Sequence, residues 1–276
     1  MSHTTSNAHG GFRYEKEGVI ALFVLDRPQA RHALTPEMIC RFADAVVDFS
    51  HDESLRVAIL TATGEQAFCA GGDLQHSIPL LTGERPPQDE WDRRLLQEPV
   101  VAAASAFRGY PLDKPVIGAV NGACMAAGFE ILLGTDLRIA APHARFALPE
   151  VRRGIIPFGG SMARLPRQVP HAWAMDIMLT GRTFNADEAL RMGILNEVVP
   201  SDQLLQRARE IAATIAANAP LAVQAVKRTV LASSGQPLDE GYRREDEAKA
   251  FIMATDDARE GPRAFMEKRE PVYHGR

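Results

Sequence analysis

Four short runs, residues 19–25, 57–60, 116–120 and 137–140, are apolar almost without interruption, and they constrain the fold of this chain most. A strand that is apolar at nearly every position, rather than at every second one, has to be covered on both faces. Between the runs the period changes. After Thr35, an N-cap residue followed by Pro36 at the first helical position, Ile39, Phe42, Val46 and Phe49 recur at three- and four-residue steps and mark one buried helix face. Strands that alternate with helices predict a largely covered α/β core. The order of the strands within a sheet does not follow from the sequence.

Punctuation supports this division. Pro28 closes the first strand, Asn121-Gly122 is a turn signal, and residues 83–87 form the most loop-like interior stretch. Beyond Pro170 the pattern is helical. Asn185 and Glu188 fit a capping box, and Gly193 is a helix stop. Residues 201–218 are amphipathic, Pro220 opens a further helix, and charged helical segments run to about Arg269. The helical region from residue 202 onward reads as either a separate lobe or a docking arm.

With 276 residues, 46% of them hydrophobic, the chain can bury a sizeable core. A net charge of −4 argues against broad nucleic-acid binding. Cys40, Cys69 and Cys124 are odd in number and lack C-x-x-C spacing, so buried free thiols in a reducing compartment are expected. No apolar run approaches the ~20 residues that cross a bilayer. Residues 1–11 are polar, without the apolar stretch of a signal peptide, and are expected to be a disordered leader. Together these features make cytoplasm the expected compartment. No Walker A or dinucleotide fingerprint occurs, no His/Cys/Asp cluster has metal spacing, and Gly159-Gly160-Ser161 is not a nucleophile elbow.

Three segments carry chemistry. In Phe68-Cys69-Ala70-Gly71-Gly72-Asp73-Leu74, paired glycines let backbone approach a ligand and expose an N–H to an anionic oxygen. The same residues fit a tight strand-to-helix turn with Asp73 as its cap. In Asn121-Gly122-Ala123-Cys124-Met125-Ala126-Ala127-Gly128-Phe129-Glu130, small residues lead into a helix start, where free amides and the dipole favour negative charge. Glu130 then precedes Ile131, Leu132 and Leu133, apolar company in which a carboxylate is costly unless paired, exposed or functional. In Leu148-Pro149-Glu150, a second carboxylate stands at the edge of a loop rich in proline and glycine. A surface salt bridge to Arg152 or Arg153 is the alternative there.

In this order, and together with Asp26-Arg27-Pro28, Arg31-His32-Ala33-Leu34 and Thr180-Gly181-Arg182, the segments resemble the crotonase (enoyl-CoA hydratase/isomerase) superfamily. The resemblance runs from about Phe12 to the C-terminus. It implies an α/β fold built as a spiral of strand–strand–helix turns over residues 12–201. A helical C-terminal region, residues 202–276, would serve trimerisation or act as a lid, giving a homotrimer or a dimer of trimers.

The implied substrate is an acyl-CoA thioester, with no metal or redox cofactor and with neither nucleic acid nor membrane as a partner. Carried over by position, Gly72 and Ala127 would supply the oxyanion-hole amides, and Glu130 and Glu150 the acid–base pair. Arg31, Ala33, Ala70, Gly71, Gly72, Asp73, Leu74, Phe158 and Lys268 would contact substrate or CoA, with Lys227 and Arg269 as further phosphate contacts; for Lys227, Lys268 and Arg269 solvated helix charge is the reading the residues themselves favour. Two glutamates imply reversible hydration of a trans-2-enoyl-CoA. Isomerisation, dehydration of a specialised, carnitinyl-CoA-like acyl-CoA, and a non-catalytic acyl-CoA-binding or scaffold protein remain as alternatives. The sequence departs from the family pattern at His32, where asparagine is common, at Ala127, where glycine is frequent, and over Gly160-Ser161-Met162-Ala163-Arg164-Leu165.

Overall fold

The computed structural model describes residues 10–276. Residues 1–9 of the expected leader lie outside the described residues, and Gly10 and Gly11 form a turn into the first strand. Ten strands follow: β1 (Phe12–Glu17), β2 (Ile20–Leu25), β3 (Val57–Ala62), β4 (Ala67–Cys69), β5 (Val116–Val120), β6 (Ala123–Met125), β7 (Leu137–Ala140), β8 (Arg145–Ala147), β9 (Phe184–Asn185) and β10 (Glu197–Val198). The helices up to the last strand are α1 (Pro36–His51), α2 (Ser77–Leu81), α3 (Glu90–Gln97), α4 (Pro99–Ser105), α5 (Ala127–Leu132), α6 (Ser161–Gln168), α7 (His171–Thr180) and α8 (Ala186–Arg191). Beyond it come α9 (Leu204–Ala216), α10 (Pro220–Ser233), α11 (Leu238–Met253) and α12 (Asp257–Glu267).

The strands divide between two sheets, one in the order β1-β2-β3-β5-β7-β10 and the other β4-β6-β8-β9. From β3 to β8 the chain alternates between them: β3, β5 and β7 belong to the first sheet, and β4, β6 and β8 to the second. Each return passes through helices or a turn, so successive strand–strand–helix turns stack into a spiral. Both sets of three pair in parallel. The consequence for the site is direct, because parallel strands end at the same edge. The segments that follow β4, β6 and β8 are the three that the sequence marks as chemistry-bearing.

The continuous apolar runs have the cause expected of them. Phe23, Leu25, Ala58, Leu60, Val116 and Val120 face one core, which α1 covers. Their neighbours Leu22, Val24, Val57, Ile59, Ile117 and Ala119 face a second core on the other side of the sheet. That second face is closed by Leu204, Ala208, Ala212 and Ala216 of α9, one apolar residue every four positions. The first helix of the C-terminal region therefore completes the core rather than forming a lobe of its own.

Local signals hold at the ends of elements. Thr35 Oγ1 accepts from the Met38 amide at 3.2 Å with Pro36 at the first helical position, and Asn185 and Glu188 form both bonds of a capping box. All three cysteines are free and buried, and burial pushes the Cys69 thiol up to about 12. No helix among the described residues is long and apolar enough to cross a membrane.

Candidate active site

The segment after β4 is held by the loop before α1. The Ala70 amide donates to the Arg31 carbonyl, Leu34 to Gly71, and Asp73 to Leu34, at 2.8–3.0 Å, around a parallel bridge between Leu34 and Gly72. With the Gly71 amide turned onto Cys69 Sγ at 3.4 Å, the amides on either side of Gly72 are both spent. Among the described residues the Gly72 N–H itself finds no protein acceptor. Gly71 sits at φ 101°, and a Cβ there would lie 2.7 Å from Ala126 Cβ, so only glycine lets the two segments meet this closely.

The segment after β6 enters α5 through Ala126, at φ 50° and ψ −128°. An alanine held in this glycine-like region costs roughly 1–3 kcal/mol, the kind of strain that clusters at functional sites. Beyond this turn Ala127 is the first helical residue, and its amide also lacks an acceptor among the described residues. The short helix is anchored by Phe129, whose ring lies 5.7 Å from those of both Phe146 and Phe184. That anchor fixes the neighbouring Glu130.

Gly72, Ala127, Glu130 and Glu150 all line one cavity of about 740 Å³, walled by apolar side chains such as Leu34, Phe42, Ile78 and Ile131. Ala70, Leu74 and Phe158 line it as well. Glu130 is 3% exposed, and its Oε1 accepts from the Ser161 hydroxyl at 2.8 Å and the Ser161 amide at 3.2 Å.

Glu150 is 6% exposed, and its Oε2 is buried without a hydrogen-bond partner among the described residues. Desolvation raises its pKa from 4.5 to about 7; a hydrogen bond from its own backbone amide opposes the rise, the nearby Glu130 adds to it, and Arg153 opposes it. The expected alternative, a salt bridge from Glu150 to Arg152 or Arg153, does not form. Arg152 donates instead to the Thr180 carbonyl at 3.0 Å, and Arg153 to that of Pro149 at 3.4 Å. Two carboxyls in one largely apolar cavity, one gripped by Ser161 and one with an oxygen left unpaired, can carry a proton between them.

Other sequence-derived candidates have different surroundings. Arg31, Ala33, Gly71 and Asp73 border the cavity-lining segments without lining the cavity themselves. Asp73 follows the structural alternative. Its carboxylate caps the turn into α2 through the Gln75 and His76 amides and meets Arg27 Nη1 at 2.6 Å. Against the desolvation of its burial, the hydrogen bonds from Arg27 and His76 hold its carboxyl at about 2.

Lys268 closes α12 in the left-handed conformation, exposed and away from the cavity lining. Lys227 pairs with Asp136 at 2.7 Å, and Arg269 with Glu260 and Glu267. His32, buried at φ 55°, occupies a left-handed position that His and Asn tolerate better than most residues. Its Nδ1 accepts from the Arg27 amide at 3.0 Å, which leaves Nε2 to donate to the Thr63 carbonyl. Sequence reasoning missed Ser161, and Arg108, Arg152 and Arg153 as cavity-lining cations. The only sequence signal for Ser161 was the departure from the family pattern around it.

A spiral of strand–strand–helix turns that brings two carboxyls and two free amides to one apolar cavity defines a protein of the crotonase superfamily. Residues 15–276 match the model of the enoyl-CoA hydratase/isomerase family. Carnitinyl-CoA dehydratase of Salmonella heidelberg is 40% identical over 269 residues, spanning 95% of this chain and 97% of that protein. Enoyl-CoA hydratase from Bacillus anthracis superposes with a TM-score of 0.86 at 32% identity, covering 97% of this chain and 100% of that one. Enoyl-CoA hydratase from Mycobacterium tuberculosis H37Rv gives 0.85 at 32% identity, covering 96% and 99%. The chain belongs to the enoyl-CoA hydratase/isomerase family, and its relatives are acyl-CoA hydratases and dehydratases of the lyase type.

Proposed function

We propose that this protein catalyses the reversible hydration of a trans-2-enoyl-CoA to a 3-hydroxyacyl-CoA. The observation that carries the reading is that Glu130 and Glu150 share one cavity with the unpaired amides of Gly72 and Ala127. The thioester oxygen accepts from both amides, which stabilise the negative charge that grows on it as the enolate forms. Loss of one such donor costs ~2.7–4 kcal/mol in comparable sites.

Glu130, whose Oε1 already accepts two hydrogen bonds, is the carboxylate that takes a proton from water as hydroxide adds to the β-carbon. Glu150, raised to about 7 by burial, is the neutral acid that delivers a proton to the α-carbon. A proton returning from Glu130 to Glu150 resets the pair, which holds one proton before and after each turnover. Dehydration is the same path reversed. The reading calls for no metal or redox cofactor, because amides and carboxyls supply both the charge stabilisation and the proton transfer. Phe265 and Met266 at the end of α12, 86% and 82% exposed, support self-association through the C-terminal helices as a trimer or a dimer of trimers.

Dehydration of a specialised acyl-CoA is the second reading, favoured by the 40% identical carnitinyl-CoA dehydratase. The charge of the cavity weighs against a quaternary ammonium on the acyl chain. Arg108, Arg152 and Arg153 all line it, and their hydrogen bonds go to backbone carbonyls rather than to carboxylates.

The test is loss of the conjugated enoyl-thioester absorbance over a panel of chain lengths and branches, with the wild type, Glu130→Gln and Glu150→Gln. Each substitution should lower kcat by ~10²–10⁴-fold. Full activity in both variants would remove the assignment. Binding without turnover of any panel member would favour a non-catalytic acyl-CoA-binding protein.

A further inference from the structure

We infer that Ser161 is a positioning residue for Glu130, deciding which oxygen of that carboxylate faces the substrate. The inference rests on the reading that Glu130 is an acid–base group. Ser161 is the first residue of α6 and is 0% exposed. Its hydroxyl and its amide converge on one atom, Glu130 Oε1, at 2.8 and 3.2 Å. A carboxylate offers about four acceptor positions over two oxygens. Two donors on Oε1 occupy that oxygen, and Oε2 accepts no hydrogen bond among the described residues.

The opposite side of the carboxylate is bounded by Gly159, where a Cβ would come within 2.7 Å of Oε2 and 3.0 Å of the carboxyl carbon. Glycine thus leaves room beside the free oxygen while serine holds the other. One turn along α6, Arg164 Nη1 donates to the Glu130 carbonyl at 3.3 Å and to the Ala106 carbonyl at 3.0 Å. Helix α6 therefore grips both the side chain and the backbone of Glu130.

The contrast with Glu150 is the reason to assign Ser161 a role in turnover rather than in packing alone. Both carboxyls are buried in the same cavity, but among the described residues only Glu130 is gripped by donors from another element, whereas Glu150 meets only its own backbone amide. A base that abstracts a proton from water has to present a lone pair along a set direction, and a freely turning carboxylate does so only part of the time. Among the described residues the serine hydroxyl donates only to Glu130, so the pair forms a closed unit.

The experiment compares kcat and KM for Ser161→Ala and Ser161→Gly, both of which keep the backbone amide, alone and combined with Glu130→Gln. The expected result is a kcat lowered about 10- to 100-fold with KM near wild type, since the lost interaction acts on the reacting step. In the Glu130→Gln background the same change should cost nothing further, as for residues that act as one unit. Thermal unfolding of each variant separates loss of fold from loss of positioning, and Ser161→Gly decides if Ser161→Ala does not fold. Wild-type kcat in the serine variants while Glu130→Gln is impaired would overturn the inference alone, as would fully additive losses. Full activity of Glu130→Gln would overturn the reading beneath it as well.

Discussion

Replacing Glu150 by glutamine should make the protein more stable at alkaline pH and progressively less so towards acid. Burial raises this carboxyl from 4.5 to about 7, so the folded state prefers it neutral. Below pH 4.5 it is neutral in both folded and unfolded chains, and folding incurs no ionisation cost. Between 4.5 and 7 the unfolded chain ionises while the folded one does not, so the cost to the folded state grows. Above about 7 it is complete.

The interval corresponds to at most about 3 kcal/mol, and solvent in the adjoining cavity screens it to roughly 2 kcal/mol. Glutamine cannot ionise, and any cost of burying its amide is independent of pH. Urea unfolding of wild type and Glu150→Gln, at one protein concentration from pH 4.5 to 8.5, isolates the term. The advantage of the variant should rise by roughly 2 kcal/mol across that range while its activity is lost. A difference between the two proteins that stays flat with pH would refute the claim that Glu150 is held neutral by burial.

Gly159→Ala should fold but lose most of its turnover, because its Cβ would press within 2.7 Å of Glu130 Oε2; circular dichroism and kcat measured together check this. Thr35→Ala removes the cap on α1 and should cost about 1 kcal/mol in urea unfolding with kcat unchanged. Among thioesters of equal size, one with a quaternary ammonium on its acyl chain should show a lower kcat/KM than its neutral isostere. Raising ionic strength should narrow the gap, since the opposing charges are arginines lining an open cavity.

In the first sheet β2, β3, β5 and β7 were legible because they are buried on both faces and therefore almost wholly apolar, and α1 because Thr35, Pro36 and Phe42 each carry a local cause. The second sheet was not. β4, β6 and β8 are three residues each, too short for any period, and their pairing partners lie about twenty or more residues away in the chain. β1 escaped for another reason, since Phe12–Glu17 is mostly polar and pairs with one neighbour at the sheet edge.

The carboxylates and glycines of the site could be seen only as motifs in a family order. Their meeting in one cavity follows from three parallel strands ending together, which no local signal encodes. Ser161 shows the limit most clearly, because its partner lies 31 residues away and only the tertiary fold brings them together. Asp73 shows the converse, since the capping role open to it in the sequence is the role the structure gives it.

We propose that Glu130 and Glu150 together add water to an enoyl-CoA bound at the amides of Gly72 and Ala127. Mass spectrometry of the product formed in oxygen-18 water, from wild type and from the double variant Glu130→Gln/Glu150→Gln, tests it most directly. The wild-type product should be heavier than its enoyl-CoA by one labelled water, and the double variant should form none. A wild-type product of unchanged mass with a shifted double bond, or labelled product formed equally well by the double variant, would contradict it.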